Sequence, residues 1–147
     1  MKKILFISVF MVFLLTACGT EEPGVEYPVD EYFNASITSA TIDGDTVDMV
    51  IVSGGFAGDI TIDVTVTNGE ITAFTVTDHS ESEDWGKIII DEEALTNAII
   101  GSSSVSEIDV NDYDNIDAEG SATAGTTAEA LVDAASAALS HYDDLME

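Results

Sequence analysis

The sequence predicts an α+β fold, an antiparallel sheet with helices packed on one face. Residues 60–67 alternate apolar and polar side chains, as a half-buried strand does, and Asn68-Gly69 then supplies the two-residue turn of a hairpin. Near the end of the chain, residues 126–147 place apolar side chains at helical spacing. Strands that come first and helices that come last favour an antiparallel sheet covered on one side.

Residues 1–17 have the features of a signal peptide. Lys2-Lys3 precede an apolar run from Ile4 to Leu15, which is shorter than the roughly 20 residues of an ordinary membrane-spanning helix. The run ends in Leu15-Thr16-Ala17-Cys18, which is similar to the lipobox of bacterial lipoproteins. That resemblance implies that Cys18 carries lipid and anchors the mature chain at the extracytoplasmic face of a bacterial cell membrane. The alternative is an ordinary secretory signal in which the cysteine has no such role.

The charge of the mature chain excludes some classes of partner. Without residues 1–17 it would keep 29 acidic residues and have Lys87 as its only Lys or Arg, a formal charge of −28. No basic patch is available to bind nucleic acid or anionic lipid headgroups. Residues 18–33, acidic and containing Pro and Gly, are predicted to form a flexible tether, and residues 34–147 a single domain.

Residues 37–77 are predicted to form two hairpins. The first turns at Asp43-Gly44-Asp45. The two-residue turn of the second fixes the facing pairs: Val66 with Ile71, and Val64 with Ala73. The returning strand, residues 71–77, then carries Phe74 and Val76 on its other face, so that both of its faces are apolar. This pattern predicts a central position in the sheet.

Two helices are predicted after the strands. Asp91 is predicted to cap a short helix that ends at Gly101 and has an apolar side formed by Leu95, Ala98 and Ile99. The last helix is predicted to begin near Thr126, because Thr126-x-x-Glu129 has the form of a capping box. Its apolar stripe would consist of Leu131, Ala135, Ala138, Tyr142 and Leu145.

The segment Asp117-Ala118-Glu119-Gly120-Ser121-Ala122-Thr123 precedes that helix. It resembles the flavin-attachment motif of the FMN-binding domain family, found in extracytoplasmic subunits of the sodium-pumping NADH:quinone reductase and of the Rnf complexes. The family pattern is Asp, Gly or Ala, any residue, Ser or Thr, Gly, Ala, Thr. Positions 117, 118, 122 and 123 match in register, whereas Gly120-Ser121 inverts the usual order. The resemblance implies a phosphoester between FMN and Thr123, made by a separate flavin transferase that uses FAD as donor.

A second segment carries the same resemblance. Residues 54–60, Gly-Gly-Phe-Ala-Gly-Asp-Ile, are followed by the second hairpin and then by His79-Ser80-Glu81-Ser82 and Gly86. This order is similar to the family's glycine-aromatic-glycine strand entry, hairpin and His-x-Glu-Thr…Gly segment. Ser82 replaces the usual Thr, and Asp84-Trp85 replaces a Pro/Gly-rich turn. Order and spacing agree over about residues 54–139.

The resemblance assigns the cofactor contacts to two groups of residues: Asp117, Gly120, Ser121, Ala122 and Thr123 in the motif, and His79, Glu81, Ser82 and Trp85 upstream. Trp85 either stacks on the isoalloxazine or closes the edge of the core. A helix N-terminus binds phosphate through its own N–H groups and dipole. Such a site suits a chain with almost no basic residues.

The flavin carries the redox chemistry while the protein supplies position and electrostatics. The interpretation is therefore an electron carrier with an unidentified donor and acceptor, rather than an enzyme with its own substrate. The inverted Gly120-Ser121 leaves open a domain of the same fold that binds FMN non-covalently, or a small-ligand or calcium-binding acidic surface lipoprotein. Residues 109–117 offer oxygen ligands suited to calcium, but EF-hand spacing fails because Asp114 stands where glycine is needed. A purely structural acidic lipoprotein is the last alternative.

Overall fold

The computed structural model describes residues 31–32, 34–113 and 121–147, and the side chains of residues 34–113 and 124–147. The predicted signal peptide, Cys18 and most of the predicted tether lie outside the described residues. So do Asp117 and Gly120 of the motif.

Among the described residues, the sheet has five antiparallel strands that follow one another in chain order. They are β1 (Glu31–Tyr32), β2 (Ala35–Asp43), β3 (Thr46–Gly54), β4 (Asp59–Thr67) and β5 (Glu70–Asp78). Both predicted hairpins are confirmed. In the second, Asn68 and Gly69 have φ of 52° and 76°, the two positive values that a type I′ turn requires. The sheet begins within the segment predicted to be a tether.

The predicted pairing of β5 is wrong beyond its first residues. Val66 pairs with Ile71 as predicted, but Val64 pairs with Phe74 instead of Ala73. The extra residue between Ile71 and Ala73 forms a β-bulge, and it returns Phe74 to the buried face, where it is 3% exposed. A second register shift follows between Val76 and Asp78. The predicted central position is also wrong, because β5 is the last strand of the described sheet. Its mixed apolar pattern therefore reflects the bulge and not burial on both faces.

In the described part of the chain, three α-helices follow the strands: α1 (Gly86–Asp91), α2 (Ala94–Ile99) and α3 (Ser121–Met146). A short 3-10 helix, Val110–Asp112, lies between α2 and α3. α1 was not predicted, and Asp91 is its last residue rather than the cap of α2. The Asp91 carboxylate instead pairs with Lys87, one turn earlier, at 3.2 Å. The residue before α2 is Glu93, in the left-handed conformation.

α3 begins five residues earlier than the capping box predicts. Thr126 and Glu129 lie inside the helix, so the predicted cap is wrong. Ser121, Ala122 and Ala124 are all compatible with helix, and the single Gly125 costs only about 1 kcal/mol. The predicted apolar stripe is confirmed, since four of its residues are buried and Leu145 packs against the core; the buried four are Leu131, Ala135, Ala138 and Tyr142.

The core lies between α3 and one face of the sheet, which confirms the predicted fold class. α3 packs on β2, β3 and β4, over buried side chains that include Ile51, Ile62 and Val64. At the far end of the helix the Tyr142 hydroxyl donates a hydrogen bond to the Asp45 carbonyl at 3.1 Å. No helix in the described part of the chain combines the length and apolar character needed to cross a membrane.

Substitution by alanine should have opposite effects on the free energy of unfolding at Gly44 and at Gly125. A methyl group on Gly44 or on Gly125 would meet no atom within 4 Å, but Gly44 has φ of 60° whereas Gly125 is helical. Gly44→Ala should lower the free energy of unfolding by about 1 kcal/mol, because L side chains disfavour the left-handed region. Gly125→Ala should raise it by about 0.5–1 kcal/mol, because glycine loses more freedom in a helix. Denaturant titration of both variants measures this, and changes of equal sign would contradict the account.

Candidate functional site

One buried carboxylate joins three segments at one end of the sheet. Glu81 follows β5 and is 6% exposed. Its Oε1 accepts a hydrogen bond from the Ala57 backbone N–H at 3.1 Å, in the loop between β3 and β4. Its Oε2 accepts one from the Thr127 hydroxyl of α3 at 2.6 Å. The side chain therefore binds the protein itself, on both of its oxygens.

Two glycines leave the space that Glu81 occupies. A Cβ atom on Gly55 would clash with Glu81 Oε1, and it would lie 2.9 Å from the carbonyl oxygen of Gly58. A Cβ atom on Gly86 would clash with Glu81 Oε2 and lie 2.7 Å from the Thr127 hydroxyl. Both contacts involve buried groups with little room to move. These two positions accordingly require glycine for close approach.

The segment from His79 to Gly86 is held by local hydrogen bonds. His79 is half-buried, and its Nδ1 accepts from the Glu81 backbone N–H at 3.2 Å. The Ser82 hydroxyl accepts from the N–H of Gly86, the first residue of α1, at 3.3 Å. The Ser82 carbonyl accepts from the N–H groups of Trp85 and Lys87 at 3.3 and 3.0 Å. His79 and Ser82 thus fix the backbone that presents Glu81 and Trp85.

The first turn of α3 lies next to this junction. Ser121, Ala122 and Thr123 are its first three residues. The prediction that Thr123 precedes the helix is wrong, since it belongs to the first turn. The N–H groups of a first turn have no helical carbonyl to bind and carry the positive end of the helix dipole. Thr127, one turn later, is the residue that contacts Glu81.

Two aromatic side chains flank the Glu81 junction. Trp85 is half-buried and directly precedes Gly86, while Phe56 is 57% exposed and directly precedes Ala57. The sequence analysis singled out Trp85, but it did not name Phe56 as a site residue, and it considered Thr127 only as an alternative acceptor of FMN after Thr123, not as a partner of Glu81. The sequence indicates the role of Thr127 only indirectly. Because the chain has so few cations, a buried carboxylate must accept hydrogen bonds from hydroxyl and N–H groups.

Few positive charges are available near this site. Lys87, the only Lys or Arg among the described residues, pairs with Glu83 at 3.4 Å and with Asp91 at 3.2 Å. Its hydrogen bond to Asp91, with the charges of Asp91 and Glu83, raises the pKa of Lys87. Within the described ranges, no three His, Cys, Asp or Glu side chains come together as a metal site. The acidic segment 109–117, considered above for calcium, continues beyond residue 113 into residues that lie outside those ranges.

The residues present fit a phosphate ester that carries a flat aromatic ring. The N–H groups at the start of α3 suit a phosphate in the absence of a free basic side chain among the described residues. Trp85 and Phe56, next in sequence to Gly86 and Ala57, supply aromatic side chains near the Glu81 junction. The upstream segment and the helix start, predicted separately from sequence, are brought together by the contact between Glu81 and Thr127.

Comparison with known proteins identifies one matching family. A family model described as FMN-binding domain matches residues 55–140. The match takes in the loop after β3, the segment around Glu81 and most of α3. No curated protein and no solved structure matches the chain significantly.

Trp85 provides a spectroscopic test of where the isoalloxazine ring of FMN binds. It is the only tryptophan in the chain, so the indole emission reports on it alone. Stacking at ring separations of about 4.5–7 Å should quench both chromophores when FMN is loaded, and Trp85→Ala should raise the flavin fluorescence. If Trp85 only closes the core, the substitution will lower the melting temperature and leave the flavin fluorescence unchanged. That outcome would rule out stacking.

Proposed function

Because the chain belongs to the FMN-binding domain family and FMN is its cofactor, we propose that it is an electron carrier. It would relay electrons through a flavin that is bound where α3 begins. The observation that carries the proposal is the contact between Glu81 and Thr127, which joins the segment around Trp85 to the start of α3. When bound, FMN supplies the redox chemistry, and the chain supplies position and electrostatics.

Each part of the site has a distinct role in this proposal. The first-turn N–H groups of α3 hold the phosphate. Trp85 and Phe56 flank the ring and limit the access of water to it. The high density of acidic residues disfavours added negative charge on the flavin and so lowers its reduction potential, less strongly in high salt. With no second substrate required, this is the role of a carrier and not of an enzyme.

The phosphate is proposed to be esterified to Thr123. In that reaction a bond forms between Thr123 Oγ and the FMN phosphorus of FAD, the pyrophosphate bond breaks, AMP leaves, and the hydroxyl proton is released. A separate flavin transferase would carry it out. Thr127 is a poor acceptor by comparison, because its hydroxyl is fully buried and donates to Glu81. The inverted Gly120-Ser121 favours a second candidate, in which FMN is bound without a covalent bond.

The proposed localisation of the protein is the extracytoplasmic face of a bacterial cell membrane. The lipobox-like Leu15-Thr16-Ala17-Cys18 supports a lipid anchor at Cys18. Residues 18–30 would then separate the domain from the bilayer. The electron donor and acceptor would be membrane or surface redox partners that reach the ring beside Trp85.

Attachment at Thr123 is tested by mass. Co-expression with a flavin transferase should add one FMN phosphoester to the wild-type chain, and Thr123→Ala should abolish it because the acceptor oxygen is lost. Thr123→Ser keeps that oxygen and serves as the control. An unchanged flavin mass in the Thr123→Ala variant would show that the acceptor is elsewhere. A wild-type chain that never gains the mass would favour non-covalent binding.

Anchoring is tested by fractionation. Cys18→Ser should prevent lipidation, so that the protein is either released or left unprocessed. Cells producing each form are separated into membrane and soluble fractions, and the mature mass is measured. Tight membrane association of a correctly processed Cys18→Ser chain would contradict the lipid anchor.

A further inference from the structure

Glu81 ties together three segments that are distant in sequence. Its Oε1 binds the loop between β3 and β4 through Ala57, and its Oε2 binds α3 through Thr127, 46 residues further along the chain. Its own N–H binds His79. Because each carboxylate oxygen has a donor from a different element, the side chain sets the relative position of those elements.

The hydrogen bond from the Thr127 hydroxyl to the Glu81 carboxylate is short and buried. Its 2.6 Å length is short for a hydrogen bond between two oxygens, and both partners are buried. A buried carboxylate that loses a donor keeps its desolvation cost, so the pair resists separation. Gly55 and Gly86 lie close to the two carboxylate oxygens, one on each side.

The helix transmits this constraint to Thr123. Thr127 follows Thr123 by four residues, about 6 Å along the helix axis at 1.5 Å per residue. A continuous helix that is fixed at Thr127 also fixes its preceding turn. The other end of α3 is held independently by the Tyr142 hydroxyl on the Asp45 carbonyl. These two contacts hold α3 near both of its ends, and the one at Thr127 adjoins the proposed flavin site.

We propose that Glu81 and Thr127 are positioning residues, a clamp that holds the first turn of α3 against the loop of residues 55–58 and the start of α1 so that FMN is accepted there. This inference rests on the proposed function and deepens it. Glu81 and Thr127 act through Thr123 and the first-turn N–H groups. Without the clamp, the phosphate-binding turn and the segment that carries Trp85 lose their fixed relation.

The test compares two substitutions that each remove one hydroxyl from α3. Thr127→Val removes the donor of the clamp, and Tyr142→Phe removes the donor at the far end of the helix. Both should lower the urea midpoint. Only Thr127→Val should slow FMN attachment by the transferase, by at least about tenfold, because displaced reacting groups lose rate steeply. Thr127→Ser keeps the hydroxyl and should restore the rate.

A second readout needs no flavin. The Ala57 amide should be protected from hydrogen exchange in the wild-type protein because it donates to Glu81, although Ala57 is exposed. Glu81→Gln, whose amide offers only one acceptor oxygen, should weaken that protection and also slow attachment. This variant replaces Thr127→Val if the latter does not fold.

Attachment at the wild-type rate in Thr127→Val or Glu81→Gln would overturn the clamp. An equal loss of rate in Tyr142→Phe would also overturn it, since general stability would then explain the effect. If the wild-type chain gains no covalent FMN, covalent attachment fails separately, and fluorescence titration with free FMN carries the test. In that case unchanged FMN affinity in Thr127→Val would contradict the clamp.

Discussion

Burying a carboxylate in a chain with almost no cations is the constraint on which this structure depends. Glu81 cannot be neutralised by a nearby Lys or Arg, so the protein satisfies it with the Thr127 hydroxyl and the Ala57 N–H. Those donors come from α3 and from the loop after β3. Meeting the constraint therefore brings the end of the sheet and the start of α3 together, and glycine at positions 55 and 86 follows from the same crowding.

The scarcity of cations also shapes the recognition of the cofactor. Lys87 is engaged with Glu83 and Asp91, so a phosphate at this site depends on the N–H groups and dipole of α3. A long helix held at both ends presents those groups in a fixed place. The same negative charge that excludes anionic partners favours a lower flavin potential. In the proposed function, FMN binding and electron relay therefore share one electrostatic origin.

Elements set by local periodicity could be predicted from the sequence. The alternation of residues 60–67, the turn at Asn68-Gly69 and the apolar stripe of α3 are all properties of neighbours, and all are confirmed. The bulge in β5 was not predicted because the apolar and polar residues on either side of it are equally compatible with a regular pairing that has no extra residue. The start of α3 was missed because Thr126 and Glu129 fit a capping box that packing overrides. The clamp joins residues 46 apart, and no periodicity reveals such a contact.

Backbone amide NMR of the isotope-labelled mature chain, before and after loading with FMN, tests the central claim most directly. The account predicts that the largest shift changes fall on Phe56-Ala57, on residues 79–86 and on the first two turns of α3. The outer face of the sheet around Asp63 and Thr65, which is remote from this junction, should change little. Shift changes concentrated on that outer face, with the start of α3 unaffected, would contradict the account.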